Sequence, residues 1–303
     1  MRSYCDCIIC YFRQALESTR FVTNDEICHQ QVLREVLRTV SAEDMRETPV
    51  RVARRIQQIV RNITGVDDPY AEVKDESNHA MLEQFGKYSE LVRTSLDPLE
   101  TAIRLAIAGN VIDYGASEFV DIADVSGSIK HALTSQIDTA ALEEFRSALR
   151  RAHTILYLGD NAGEIVFDRL LIDLLPREKI TYVVRGRPIL NDVTMKDAQT
   201  AGITYLVDVI DNGSDAPGTL LDTCSDTFRQ QFNEADLIIA KGQGNYESLS
   251  GIDKDIFYLL IAKCPVIADH IGCLVNSIVL LRSTRQPSLA IVKRVVKESI
   301  GWP

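Results

Sequence analysis

TILYLGD, residues 154–160, is a short apolar run closed by Gly159 and Asp160. The signature returns as ITYVVRG (180–186), ITYLVDV (203–209) and ADLIIAKGQG (235–244). Stretches 162–175, 192–201 and 219–234 between these runs have helical spacing. Short, nearly continuous apolar strands separated by helices predict a parallel sheet covered on both faces, because a strand buried on two sides has no polar face to alternate with. The expected class is therefore α/β, a Rossmann-like three-layer α/β/α domain with a mostly parallel sheet. IFYLLIA (256–262) and PVIAD (265–269) read as two further strands.

Upstream of residue 150 the pattern changes to helical periodicity. Helices are expected over 8–22, 25–40, from Thr48-Pro49 to Val60, over 78–94, from Asp97-Pro98 towards Gly115, and over 118–136 and 138–152. Asn24 or Asp25 suits an N-cap, and Pro49 and Pro98 suit first turns. The polar segment 62–78 reads as a surface connection. The division expected is an all-helical domain over 1–150 and a Rossmann-like domain over 151–303 that carries the metal and phosphate site.

The 303 residues are 46% hydrophobic and 25% charged, with 43 acidic against 33 basic side chains and a formal charge of −10. That average field repels polyanions, so nucleic acid is not an expected partner, whereas a metal or a helix N-terminus can reverse the sign locally for a small phosphate ester. No apolar stretch approaches membrane-spanning length, and Asp6 and Arg13 interrupt the N-terminal apolar run, unlike a secretory signal. Seven scattered cysteines do not form a disulfide framework, so a cytoplasmic location is expected. The oligomeric state is not legible.

In an open α/β sheet, ligands bind beyond the carboxyl ends of the strands. The first tip is Gly159-Asp160-Asn161-Ala162-Gly163-Glu164. Asp160 and Asn161 offer a carboxylate and an amide oxygen to a hard cation, or one of them merely caps the next helix. The second tip, Arg185-Gly186-Arg187 to Asn191-Asp192, brings Asp192 before a helix. If the two strands are neighbours, about 5 Å apart, Asp192 can complete a site begun by Asp160 and Asn161; a plain cap is the alternative. Arg185 can meet phosphate oxygens or carboxylates, and Arg187 suits a solvated surface equally well. The third tip, Asp211 to Thr219, is a turn-rich loop in which Asp215 and Pro217 read as ordinary loop residues. The fourth, Lys241-Gly242-Gln243-Gly244-Asn245, has the physical logic of a phosphate cradle, with backbone donors and an ammonium, although a tight turn would look the same. Glu164 is either a base or supporting acid, or a first-turn acid favoured by the helix dipole.

Other constellations are weaker. Cys5, Cys7 and Cys10 have metal-like spacing but need a fourth ligand, with Cys28 or His29 as candidates for an accessory metal. Asn110 and Asp113 either reach over the site or end a helix. None of the five histidines forms HExxH, and GxSxG is missing.

The segments GDNAGEIVFD (159–168), RGRPILNDVTMKDA (185–198), DNGSDAPGT (211–219) and DLIIAKGQGNYE (236–247) resemble the damage-control phosphatases, long labelled domain of unknown function 89. GNVIDYG (109–115) and the N-terminal CxxC extend the resemblance over nearly the whole chain. It implies hydrolysis of small phosphorylated metabolites, sugar phosphates among them, with Mg, Mn, Co or Ni. The family's metal ligands correspond to Asp160, Asn161 and Asp192, and its phosphate contacts to Lys241, Gly242, Gln243, Gly244 and Asn245. The CxxC and the length resemble the archaeal and bacterial branch; the Arg-Thr-x-Lys motif of a eukaryotic branch is not found near the C-terminus.

The expected function is a metal-dependent phosphatase. Competing readings are a Rossmann-type nucleotide-cofactor enzyme such as a methyltransferase, for which no glycine-rich loop is evident, and a noncatalytic metal- or metabolite-binding protein.

Overall fold

The computed structural model describes residues 1–109 and 122–284. Asn110 and Asp113 lie outside the described residues. Six strands form one sheet: β1 (Ile155–Leu158), β2 (Ile180–Val184), β3 (Asp208–Asp211), β4 (Leu237–Lys241), β5 (Ile256–Ile261) and β6 (Ile278–Arg282). Their order is β3-β2-β1-β4-β5-β6, parallel throughout except for β6, which runs antiparallel to β5. The order reverses between β1 and β4, which puts the topological switch point at their carboxyl ends. β1, β4 and β5 are buried at every position, as their apolar runs require.

Three expectations change. The third strand begins at Asp208, after a 3-10 turn over Ile203–Tyr205. As an edge strand, β3 needs no continuous apolar run, and Tyr205, counted within it, is 89% exposed. PVIAD is a helix, because Pro265 fits its first turn and Gly272 adopts the left-handed conformation after its last. Segment 62–78 is not a plain connection, since α4 already begins at Ala71.

The helices ahead of the sheet are α1 (Cys5–Arg20), α2 (Glu26–Ala42), α3 (Pro49–Thr64), α4 (Ala71–Thr94), α5 (Pro98–Ala108), α6 (Ile122–Thr134) and α7 (Thr139–Arg151). Asp25, Asp97 and Asp138 cap α2, α5 and α7 with side-chain acceptors. α8 (Glu164–Ile172), α9 (Met195–Thr200), α10 (Asp226–Glu234), α11 (Gly242–Leu249) and α12 (Pro265–Ile271) follow successive strands. One apolar cluster joins α4, α5 and α7–α9 to one sheet face through Tyr157, Tyr182 and Phe257. A second packs α10–α12 on the other face through Leu156, Leu158 and Tyr258. α1–α3 have a core of their own around Val36, Ile56 and Val60. Among the described residues no helix is long and apolar enough to cross a membrane.

Candidate active site

The ends of β1 and β2 are stitched together by backbone. Val193 N–H donates to the Asp160 carbonyl at 2.8 Å and Ala162 N–H to the Asn191 carbonyl at 2.9 Å, with Asn161 and Asp192 forming an isolated bridge. Asp160, Asn161 and Asp192 are thereby brought together, each no more than 7% exposed. Asn161 Nδ2 donates to Asp160 Oδ2 at 2.9 Å and to Glu164 Oε2 at 3.3 Å. With its NH₂ held by two carboxylates, the amide presents its carbonyl oxygen elsewhere, which is the end a hard cation prefers. Burial, then the neighbouring Glu164 and Asp192 carboxylates, lift the Asp160 pKa well above its ordinary value, against the opposing charges of Arg185 and Lys263. Among the described residues no three His, Cys, Asp or Glu side chains form a ready metal cluster. Two aspartates and an amide fit a cation that takes few protein oxygens and shares its shell with substrate, as magnesium does.

Arg185 extends from the end of β2 into this group and is 2% exposed. Its Nε donates to Asp192 Oδ2 at 2.7 Å, and NH2 lies 3.8 Å from Asp160 Oδ1. Both terminal nitrogens stand 3.5 Å from Asn245 Oδ1. Those longer contacts leave a guanidinium edge directed between the β1, β2 and β4 tips, with the bidentate geometry that phosphate accepts.

The fourth tip differs from the expected glycine-rich cradle. α11 starts immediately, with Lys241 as N-cap residue and Gly242 at φ 76°. A Cβ on Gly242 would stand 1.7 Å from Asp160 Oδ2, so glycine is required for β4 to close on the aspartate. A Cβ on Gly244 would meet the Pro217 carbonyl oxygen at 2.2 Å, which seats the third loop against α11. The expected position of the Lys241 ammonium needs correcting. It donates to Glu164 Oε1 at 2.5 Å, Asp168 Oδ1 at 2.6 Å and the Ala106 carbonyl at 2.8 Å, which uses all three N–H groups. The two acids on the first turns of α8 draw it inward. Burial works against that charge, but Asp168 and Glu164 outweigh it and hold the Lys241 pKa above the ordinary value. Asp168 also accepts from Tyr157 and Tyr182 hydroxyls at 2.7 and 2.8 Å. Asn245 is fixed in the wall: Nδ2 donates to the Lys241 carbonyl at 2.8 Å and Oδ1 accepts from Thr219 at 2.8 Å. Gln243 turns to Glu247 at 2.8 Å. The first turn of α11, which leaves backbone N–H groups without partners inside the helix, begins next to Asp160.

Sequence reasoning missed Lys263, two residues beyond β5, whose charge acts on Asp160. The rule used for the other strand tips selects it, but reading PVIAD as the next strand drew attention past it. It also missed Asn78 on α4, whose Oδ1 accepts Gly163 N–H at 2.8 Å, and the role of Asp215, which binds Arg54, Gln58 and Arg61 of α3. Cys5, Cys7 and Cys10 form no metal cluster among the described residues. At about 3.6 residues per turn Cys5 projects from a different side of α1 than Cys7 and Cys10, whose thiols lie near Cys264. Cys5 and Cys10 are exposed, Cys7 and Cys28 are half-buried, and His29 is turned to the Thr23 carbonyl.

A carboxylate–amide–guanidinium group thus lies at the switch point of a doubly wound α/β sheet. The sequence matches the Damage-control phosphatase ARMT1-like domain over residues 3–279, and the chain belongs to that family. A damage-control phosphatase of Archaeoglobus fulgidus is 38% identical over 90% of this chain and 96% of its own length. An uncharacterised protein of Methanocaldococcus jannaschii is 36% identical over 91% and 94%. The crystal structure of a DUF89 family protein from Pyrococcus horikoshii has a TM-score of 0.82 at 31% identity, covering 94% of this chain and all of that one.

Proposed function

We propose that this chain is a metal-dependent phosphatase of small phosphorylated metabolites, sugar phosphates or damaged relatives of them, working in the cytoplasm. The observation that carries the reading is the convergence of Asp160, Asn161, Asp192 and Arg185 at one strand-tip site. The naming of similar archaeal proteins as damage-control phosphatases supports it. Asp160, Asn161 and Asp192 would hold a divalent metal such as Mg, Mn, Co or Ni, which when bound supplies Lewis-acid charge to the phosphoryl group. Arg185, Lys263 and the α11 N–H groups take the phosphoryl oxygens, with Gly242, Gly244 and Asn245 shaping their approach. Lys241 acts on the site through Glu164. The organic part of the substrate lies in the adjoining cleft of about 280 Å³, lined by Arg185, Arg187, Thr194 and Asp197 and by Asp68 and Lys74 from the helical side. Such a volume suits a small metabolite.

The attacking group is water or the Asp160 carboxylate. Quenching a turnover with borohydride, which reduces a phosphoaspartate to the alcohol and leaves a free carboxylate untouched, followed by mass analysis of the Asp160 peptide, separates them. The function itself is tested by phosphate release from a metabolite panel with each metal, comparing wild type, Asp160→Ala and Asp192→Ala. Metal-dependent release that both folded variants lose by about a hundredfold or more is expected. No release from wild type across panel and metals would favour the binding-protein reading instead.

A further inference from the structure

α4 buries a polar stripe where a helix normally buries apolar side chains. Lys74, Ser77 and Asn78 lie at most 3% exposed beside Met81, at the three- and four-residue spacings of one helix face. Buried polar groups are costly unless each finds a partner, so the stripe needs a reason.

Asn78 uses both ends of its amide. Its Oδ1 accepts Gly163 N–H at 2.8 Å, and its Nδ2 donates to Asp197 Oδ1 at 2.9 Å. The other oxygen of Asp197 accepts Thr194 N–H at 2.8 Å and Thr194 Oγ1–H at 2.7 Å. Lys74 Nζ stands 3.9 Å from Asp197 and 2.7 Å from Asp68. The result is a continuous chain of hydrogen bonds, Gly163 to Asn78 to Asp197 to Thr194. Gly163 lies two residues beyond Asn161, and Thr194 two residues beyond Asp192. Gly163 is also at φ 76°, so its turn gains definition from an external acceptor.

We propose that Asn78, supplied by α4, is a positioning residue that sets the spacing between the two ligand-bearing turns. This rests on the metal reading of Asp160, Asn161 and Asp192. The amide is suited to the task because it must accept on one side and donate on the other. Aspartate cannot do both, and would face Asp197 with a second carboxylate. Exchanging the pair restores the pattern: in Asn78→Asp combined with Asp197→Asn, the acid still accepts Gly163 N–H and the new amide donates back to it.

The test is Mn²⁺ affinity, measured by electron paramagnetic resonance and calorimetry on wild type, N78D, D197N and N78D/D197N, below the melting temperature of each. Outer-shell partners of metal ligands are worth about 10–100-fold in affinity. N78D is expected to bind Mn²⁺ at least about tenfold more weakly, and the exchanged pair to return within about threefold of wild type. Asn78→Ser, too short to span both partners, replaces N78D if that variant does not fold. A folded N78D or N78S with wild-type affinity would overturn the proposal, as would an exchanged pair no better than N78D. Failure of the wild type itself to bind Mn²⁺ is a different result, and would overturn the metal reading beneath the proposal.

Discussion

Replacing Lys241 with methionine separates a phosphate-binding lysine from a buried counter-ion. Lys241, Glu164 and Asp168 have fully buried side chains, and the ammonium lies within 2.6 Å of both carboxylates. Methionine approximates the stem and removes the charge. Breaking a buried ion pair by deleting one partner costs about 3–5 kcal/mol. The tyrosine hydroxyls still serve Asp168, so the lower part of that range applies. At about 2–4 °C per kcal/mol for a chain of this class, the melting temperature should fall by roughly 6–12 °C. The pH dependence has a definite sign. The wild-type Lys241 pKa is raised, so its contribution is fully present below the ordinary lysine range near pH ~10.4 and is lost only as pH rises through the folded value. Wild type is therefore insensitive at this group between pH 5 and 9 by roughly the whole window. The K241M deficit should therefore stay level across that window and shrink only in strong alkali. Differential scanning calorimetry across pH reads both effects, with phosphate competition at fixed metal as the second assay. A variant as stable as wild type, with weakened inhibition by inorganic phosphate as its main defect, would refute the counter-ion reasoning.

Two further outcomes follow from the same geometry. Gly242→Ala places a methyl 1.7 Å from Asp160 Oδ2 at a backbone φ of 76°, so Asp160 must shift; strain of about 1–3 kcal/mol and a loss of turnover of about a hundredfold are expected, measured by thermal melts and phosphate release. Asp215→Asn weakens the hold of Arg54, Gln58 and Arg61 on the third loop, for a cost of about 3 kcal/mol. Burial opposes the Asp215 charge, but the Arg54 and Gln58 hydrogen bonds and the two guanidinium charges win, so its pKa is lowered. Its contribution is present above the ordinary carboxylate value of about 3.9 and is lost as pH falls through the folded value, so wild type and variant should converge in acid.

Hydropathy reveals what is buried by being apolar. β1, β2, β4 and β5 were legible for that reason, and with them the switch point and the tips bearing Asp160, Asp192 and Lys241. β3 shifted because an edge strand with an exposed–half-buried–half-buried–exposed pattern has no such run. PVIAD misled because Pro265 opens a helix as readily as it bounds a strand, and with it went Lys263. The start of α4 was illegible on other grounds. Lys74, Ser77 and Asn78 are polar yet buried, and only their partners at Asp68, Asp197 and Gly163, distant in sequence, make that burial affordable. Lys241 shows the limit of the strand-tip rule: the position was legible, but the direction of its ammonium depends on Glu164 and Asp168 from another element.

The buried charges around the β1 tip connect these separate features. Asp160, Glu164, Asp168 and Asp192 are four acids, and the fully buried cations among them are Arg185 and Lys241. Lys241 is committed to Glu164 and Asp168, whereas Arg185 is shared by Asp192 and Asp160. If all four acids are ionised, acid exceeds base by two charges, moderated by half-buried Lys263; burial first, then the Glu164 and Asp192 charges of this group, lifts the Asp160 pKa. In the proposed phosphatase a divalent cation would balance that excess without further protons. The substrate would then bring negative charge of its own, and Arg185, with its longer contacts at 3.5 to 3.8 Å, is the group placed to turn towards it. On that reading metal affinity and phosphate affinity are expected to be linked through Arg185: the side chain that steadies Asp192 through Nε would offer its outer edge to the phosphoryl oxygens.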